Sequence, residues 1–202
     1  MHTRSPDVFV GRQPILDREH HVVAYELLFR AAATETEARI ADDGLATARL
    51  ITRAFCDLGI RTVVGKAHAF VNLDAKSLMS AAIETLPREQ VVLELLETVE
   101  ADDRILRRCR ALQAKGYRFA LDDFYRYSKA CDPLLEIADI VKIDVLMLDP
   151  QSLPELVRCL KPWRPILLAE KVESRQCARQ CLALGFQFFQ GFFFARPAVV
   201  AA

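Results

Sequence analysis

Val8–Leu16 (VFVGRQPIL) and Val22–Phe29 (VVAYELLF) are apolar runs separated only by Asp17-Arg18-Glu19-His20-His21. So short a polar connection turns a chain between antiparallel strands. It cannot reach a parallel neighbour, because that crossover needs about a dozen residues or more. The chain is therefore expected to open with a hairpin.

Downstream of the hairpin the pattern alternates. Ala41–Leu58 carries apolar residues at helical spacing and stops at Gly59, a residue suited to a helix C-terminus. A strand is expected over Ala69–Leu73, a helix around Ser77–Thr85 and a strand over Val91–Leu96. A helix over Asp102–Lys115 closes at Gly116, and the strand Arg118–Leu121 follows. Leu134–Ile137, Ile140–Val145, Leu153–Leu160, Ile166–Ala169, Arg175–Leu184 before Gly185, and Phe186–Phe189 continue the alternation. Strand–helix units with short connections predict a parallel sheet covered by helices. Counting the hairpin gives eight strands, which favours a closed α/β barrel over an open sheet. An open doubly wound sheet would ordinarily carry a glycine-rich phosphate loop after its first strand, and the chain has only seven glycines.

Composition limits what such a barrel serves. The chain has 202 residues and 52% hydrophobic content, enough for one domain with a sizeable core. Its 27 basic and 27 acidic residues cancel, so no global positive field points to a nucleic acid polymer or an anionic membrane. The cysteines Cys56, Cys109, Cys131, Cys159, Cys177 and Cys181 contain no Cys-x-x-Cys pair and read as reduced, buried thiols. Cys177 and Cys181 are spaced to share one helix face. Met1–Asp7 lacks a signal-peptide core and no later run approaches a membrane span, so a cytoplasmic protein is expected.

Acidic or amide side chains stand at the ends of most apolar runs: Glu26, Asn72, Glu94, Asp122-Asp123, Asp144, Glu170 and Gln190. Any one of them alone reads as a solvated loop residue or a helix cap. Lys142 alone reads as a surface lysine. In a parallel barrel, however, strand ends converge on one mouth. Hard oxygen donors gathered there suit Mg²⁺, Mn²⁺ or Ca²⁺. Asp123 could bridge a second cation, a common arrangement for phosphodiester hydrolysis. Lys142 among carboxylates could orient a water or neutralise phosphate charge.

Arg12-Gln13-Pro14-Ile15, Tyr25–Arg30 (YELLFR), Phe70–Leu73 (FVNL), Glu94–Glu97 (ELLE), Leu121–Phe124 (LDDF), Val141–Asp144 (VKID), Ala169–Glu173 (AEKVE) and Gln190-Gly191-Phe192 resemble, in order, the signature blocks of the EAL domain. The resemblance covers residues 8–198 as one domain, leaving 1–7 and 199–202 as short tails. It implies a modified TIM (β/α)8 barrel whose first strand is antiparallel to the others. It also implies hydrolysis of cyclic di-GMP to the linear dinucleotide with Mg²⁺ or Mn²⁺, in bacterial signal transduction. By resemblance Glu26, Asn72, Glu94 and Asp122 are metal ligands, Asp123 serves the second metal and Glu170 completes the cation site. Glu26, Lys142 and Glu170 form the catalytic group, with Lys142 holding the attacking water. Gln13, Arg30 and Gln190 meet the ligand, Arg30 gripping a phosphate, and Glu97 anchors the loop after the fifth strand.

The departures from that pattern shape the expectation. The usual Gly-Thr-Gly-Tyr-Ser loop after Asp-Asp-Phe reads Tyr125-Arg126-Tyr127-Ser128 here, with both glycines and the family's dimer loop rewritten. The stretch after Arg30 passes through Ala31-Ala32-Ala33 and lacks the usual Trp-x-His-Pro element, which implies a shallower pocket. Lys171 replaces the glycine of Ala-Glu-Gly-Val-Glu. The combination resembles the divergent EAL branch often followed by an HDOD domain, a segment these residues do not include. Three readings stay open: a weakly active or inactive regulatory module binding nucleotide or a protein partner, an active phosphodiesterase, and an interaction scaffold using Tyr125–Tyr127. The resemblance also allows a homodimer.

Overall fold

The computed structural model describes residues 9–30, 51, 55, 59–149 and 151–200, with backbone alone for Phe9, Phe29, Arg30 and Val200. Most of the helix expected over Ala41–Leu58, Cys56 and the segment after Arg30 lie outside the described residues. Ile51 and Phe55 are helical, and Ile51 is buried in the core.

Among the described residues nine strands run in the order β1 Phe9–Leu16, β2 Val22–Arg30, β3 His68–Leu73, β4 Val91–Leu95, β5 Arg118–Leu121, β6 Ile140–Asp144, β7 Ile166–Glu170, β8 Phe188–Phe189 and β9 Ala198–Val200. β1 pairs antiparallel with β2 from Phe9↔Arg30 to Leu16↔Val22, as the short polar connection requires. Each consecutive pair from β2 to β8 is parallel. β1 closes the ring by pairing antiparallel with β8 at Leu16↔Phe189 and with β9 at Val10–Arg12. β8 and β9 therefore run in one direction along the same edge of β1. They are two halves of one stave, interrupted by the excursion Gln190–Pro197. The barrel has eight staves and its first strand is antiparallel.

Helices cover the outside: α1 Ile60–Val64, α2 Ala75–Leu78, α3 Asp103–Ala114, α4 Asp132–Leu135, α5 Ser152–Leu160 and α6 Arg175–Leu184. Short polar side chains start several of them. Asp74 accepts from Ser77 N, Asp102 accepts from Ile105 N, and Ser174 Oγ accepts from Cys177 N. Gly185 closes α6 in the left-handed conformation. The helix expected around Ser77–Thr85 is broken in two, because extended Ser80 caps a separate 3-10 turn, Ala81–Thr85, with its hydroxyl accepting from Ala82 N. β9 was not expected, being only three residues long. Cys109, Cys131, Cys159, Cys177 and Cys181 are free. Burial pushes the Cys109 and Cys181 thiols up to about 12, as inert core thiols require. No helix among the described residues is long and apolar enough to cross a membrane.

Two contacts fix the outer layer and the last stave. Arg108 of α3 donates to Leu78 O and Ser80 O, both at 3.0 Å, and to Glu84 Oε1 at 2.6 Å, while Lys115 pairs with the other oxygen of Glu84. These bonds, from Lys115 first and then Arg108, lower the Glu84 pKa from 4.5 to about 2. A depressed folded-state pKa stabilises the fold above the unfolded value and ceases to as pH falls through the folded one. Glu84→Gln is accordingly expected to lower stability near neutral pH, with the gap to wild type shrinking as pH drops from about 4.5 toward 2. Urea titrations across that range measure it, and a pH-independent gap would refute the ion-pair account.

Gly191, at φ +152°, lies against the loop after β7, where a β-carbon would stand 2.2 Å from Val172 O and 2.3 Å from Val172 N. Both are backbone atoms, laced in place by Val172 N donating to Gln190 O and Phe193 N donating to Val172 O. Gly191→Ala is expected to cost on the order of 3 kcal/mol or more, through strain with no flexible neighbour to yield. Equilibrium unfolding within about 0.5 kcal/mol of wild type would contradict that close approach.

Candidate functional site

Side chains on a strand alternate between faces, so residues two apart on each stave stack along the barrel axis. The interior floor is apolar: Ile15, Ala24, Phe70, Val92, Ala120, Ile140 and Leu168 pack together, with Phe188 against them. Two residues further toward the carboxyl end of each parallel strand stand Glu26, Asn72, Glu94, Asp122, Lys142, Glu170 and Gln190. Antiparallel β1 reaches the same level two residues before Ile15, at Gln13, which is paired with Glu26 across the β1–β2 ladder. Every stave thus contributes one polar side chain to a ring lying directly on an apolar floor.

Lys142 occupies the hub of this ring. Its ammonium lies 2.9 Å from both Asp122 Oδ1 and Glu170 Oε1, forms a short ion pair with Glu94 Oε1, and stands 3.8 Å from Glu26 Oε2. Burial alone would lower its pKa. Glu170, Glu26, Glu94 and Asp122 together outweigh burial and hold the ammonium well above its ordinary value. The amides orient the acids: Asn72 Nδ2 donates to Glu26 Oε1 at 3.2 Å, and Gln190 Nε2 donates to Glu26 Oε2 at 2.6 Å and to Gln13 Oε1 at 3.2 Å. Gln13 Nε2 in turn donates to Ala195 O at 3.3 Å, tying the ring to the interrupted stave.

One ammonium does not satisfy this much acid. Burial drives Glu94 well above the carboxylate range against the opposing charge of Lys142. Burial likewise pushes Glu170 up to about 7. Asp122 stays below its usual value, because Lys142 and its hydrogen bonds overcome the burial that would raise it. Among the described residues, four buried atoms have no hydrogen-bond partner: Asn72 Oδ1, Glu94 Oε2, Glu170 Oε2 and Gln190 Oε1. All four are oxygens of the ring. Unsatisfied buried oxygens beside under-compensated carboxylates are the donor set a hard divalent cation takes, so Asn72, Glu94 and Glu170, with Glu26 and Asp122, fit the cation expected from sequence.

Above the ring, a cavity of about 380 Å³ is bounded by Gln13, Glu26, Asp122, Glu170 and Gln190 below and by Leu146, Lys171 and Phe192 at its rim. Asp123 lies beside it, and its carboxylate, with those of Asp122 and Glu97, offers oxygens within 4.8 Å of one another. Glu97 is exposed and lines an adjoining hollow with Tyr125 and Arg126. The rewritten loop is held from its far end: Tyr127 OH donates to Asp132 at 3.0 Å, and its ring packs 5.5 Å from that of Trp163. The structure thus brings Gln13, Glu26, Asn72, Glu94, Asp122, Asp123, Lys142, Glu170 and Gln190 to one mouth, with Glu97 at its margin. The side chain of Arg30 lies outside the described residues.

Sequence reasoning did not foresee the pairing of Lys171 with Asp144. Lys171 Nζ donates to Asp144 Oδ2 and stands 3.4 Å from Asp123 Oδ1. Lys171 at φ +54° and Asp123 at φ +42° are both left-handed. The available signal was a lysine at a position where the resemblance places glycine.

Comparison with known proteins agrees with this fold. The EAL domain family matches residues 6–197. A cyclic di-GMP phosphodiesterase of Vibrio cholerae, CdgJ, is 39% identical over 194 residues, covering 95% of this chain and 45% of that protein. Bacillus subtilis YuxH is 37% identical, covering 96% of this chain and 48% of its own length. The chain spans about half the length of these curated relatives. Among solved structures, a manganese and cyclic di-GMP complex of Klebsiella pneumoniae BlrP1 superposes with a TM-score of 0.79 at 23% identity, covering 98% of this chain and 58% of that one. The EAL domain of Mycobacterium smegmatis DcpA gives 0.75 at 22% identity, covering 94% and 92%. The barrel and its antiparallel first strand are those of a member of the EAL domain family, to which this chain belongs.

Proposed function

We propose that this EAL domain binds cyclic di-GMP across the barrel mouth together with one or more divalent cations, Mg²⁺ or Mn²⁺, and serves as a regulatory module whose hydrolysis of the nucleotide is slow. The observation that carries the reading is the set of four buried, unpartnered ring oxygens above an apolar floor. The phosphodiesterase relative at 39% identity supports the choice of nucleotide. The mouth is of a size for a ligand that enters in part and leaves the rest over the rim.

A bound Mg²⁺ or Mn²⁺ would supply Lewis acidity, neutralising phosphate charge and lowering the pKa of a bound water. The chain's own groups do the remainder. Asn72 and Gln190 fix the Glu26 carboxylate from two sides. Lys142, held charged, presents an ammonium rather than a free amine, so its role is to orient a water and to stabilise negative charge. Glu170, within 2.9 Å of the Lys142 ammonium, faces the same water position. Arg30 supplies the phosphate grip that its planar fork suits.

Two features favour slow chemistry. The loop over Tyr125–Tyr127 has no glycine and is pinned by Tyr127 to Asp132. Lys171 occupies the neighbourhood of Asp123. Exposed Tyr125, on the same loop, offers a contact for a protein partner. The module is proposed to act in the bacterial cytoplasm. A second reading, an efficient phosphodiesterase, is favoured by the identity to CdgJ.

Calorimetry with cyclic di-GMP, with and without Mn²⁺, followed by chromatography of the products, separates these readings. Expected are saturable binding strengthened by Mn²⁺, turnover that is slow on the scale of a typical enzyme at about 10 per second, and loss of the Mn²⁺-dependent part in Glu94→Gln. Fast multiple turnover abolished by Glu26→Ala would establish the second reading. Absence of binding under both conditions would exclude both.

A further inference from the structure

The Lys171 ammonium lies beside Asp123, the carboxylate that the resemblance assigns to a second metal. It bridges two carboxylates from neighbouring staves: Asp144 Oδ2 from the end of β6, and Asp123 Oδ1 at 3.4 Å from the loop after β5. Asp144 is only 3% exposed, and its other oxygen accepts from Leu146 N at 2.9 Å. Lys171 thus completes the pairing of a buried carboxylate while its own side chain remains 51% exposed. The backbone adds a second observation: Lys171 at φ +54° holds a conformation that a β-carbon disfavours and glycine accepts freely. Asp123, facing it, is left-handed as well, at φ +42°. Two disfavoured backbones meeting through one ion pair form a built contact.

We infer that the Lys171 ammonium takes the cation position beside Asp123, so that this mouth accepts one divalent ion, at the ring, and excludes a second. The inference rests on the proposed binding of a divalent cation at the ring. Its physical basis is like-charge repulsion: a divalent ion placed on Asp123 would lie a few ångström from a fixed ammonium in a half-desolvated site. Were the ammonium to withdraw to admit that ion, it would leave the buried Asp144 oxygen unpaired. The rim cluster of Glu97, Asp122 and Asp123 is then already partly neutralised from within the chain. A mouth with one exchangeable ion and one resident ammonium holds an anionic ligand, yet lacks the paired ions that accelerate phosphodiester cleavage.

Equilibrium dialysis with Mn²⁺ counts ions bound per chain, and electron paramagnetic resonance shows whether two bound ions broaden each other's signal. The wild-type protein is expected to bind one Mn²⁺ without spin–spin broadening. Lys171→Gly and Lys171→Met are expected to bind two, with broadening; the methionine variant controls for the backbone freedom glycine adds. Lys171→Arg, keeping the charge, is expected to remain at one. Two ions in the wild type, or one ion in both neutral variants, would overturn the inference while leaving the ring reading intact. No ion in any variant would remove the ring reading, and this inference with it.

Discussion

The Lys142 ammonium, buried at the centre of Glu26, Glu94, Asp122 and Glu170, ties β6 to β2, β4, β5 and β7 across the barrel interior. An ammonium taken from water loses solvation worth many kcal/mol, which only close opposite charge returns. Four carboxylates in the same interior would repel one another without it. Neither part of the cluster is stable alone at that depth, so the staves bearing them must be in register for either to be buried. The charge cluster therefore acts as a constraint on barrel closure. The apolar floor beneath it makes the constraint strict, because a one-residue slip would turn a stave's ring residue to the outer face and a two-residue slip would lower it into the floor.

Closure itself depends on the least regular part of the sheet. β1 enters antiparallel, and only a single residue pair joins it to β8. The chain then leaves the stave at Gln190 and returns to it as β9. Gly191 makes this possible by letting the backbone press onto Val172. That same contact sets Gln190 beside Glu26 and holds the loop that carries Glu170 and Lys171. A backbone approach outside the chemistry thus positions three side chains of the mouth.

Much of this was legible in the sequence because it obeys a local rule. The hairpin followed from a connection too short for anything else, and the strand-end donors from polar residues terminating apolar runs. The rule is sharper than it first appeared: Ala24-x-Glu26, Phe70-x-Asn72, Val92-x-Glu94, Ala120-x-Asp122, Ile140-x-Lys142, Leu168-x-Glu170 and Phe188-x-Gln190 repeat one inward pair per stave. What stayed hidden depended on distance along the chain. That Lys142 would be the hub rather than one donor among several requires knowing which staves face it. Lys171 meets Asp123 only after a separation of 48 residues is folded away. β9 and the Ser80 break are decided by single residue pairs and a single hydroxyl, below the resolution of periodicity.

Charge accounting gives the site its logic. In the ring and its rim, Glu26, Glu94, Asp122, Glu170, Asp123 and Asp144 set six carboxylates against the two ammonium groups of Lys142 and Lys171, a formal deficit of four positive charges. The fold relieves part of this by resisting ionisation of Glu94 and Glu170. A dianionic cyclic dinucleotide approaching such a mouth would meet net repulsion at close range, where solvent screens poorly. A cation and a nucleotide at this mouth would be coupled ligands: each would reduce the electrostatic penalty of the other, and the coupling would be reciprocal. Lys171 at the rim adds the one positive charge that does not depend on that exchange. It offsets part of the negative charge of Asp123 and Asp144.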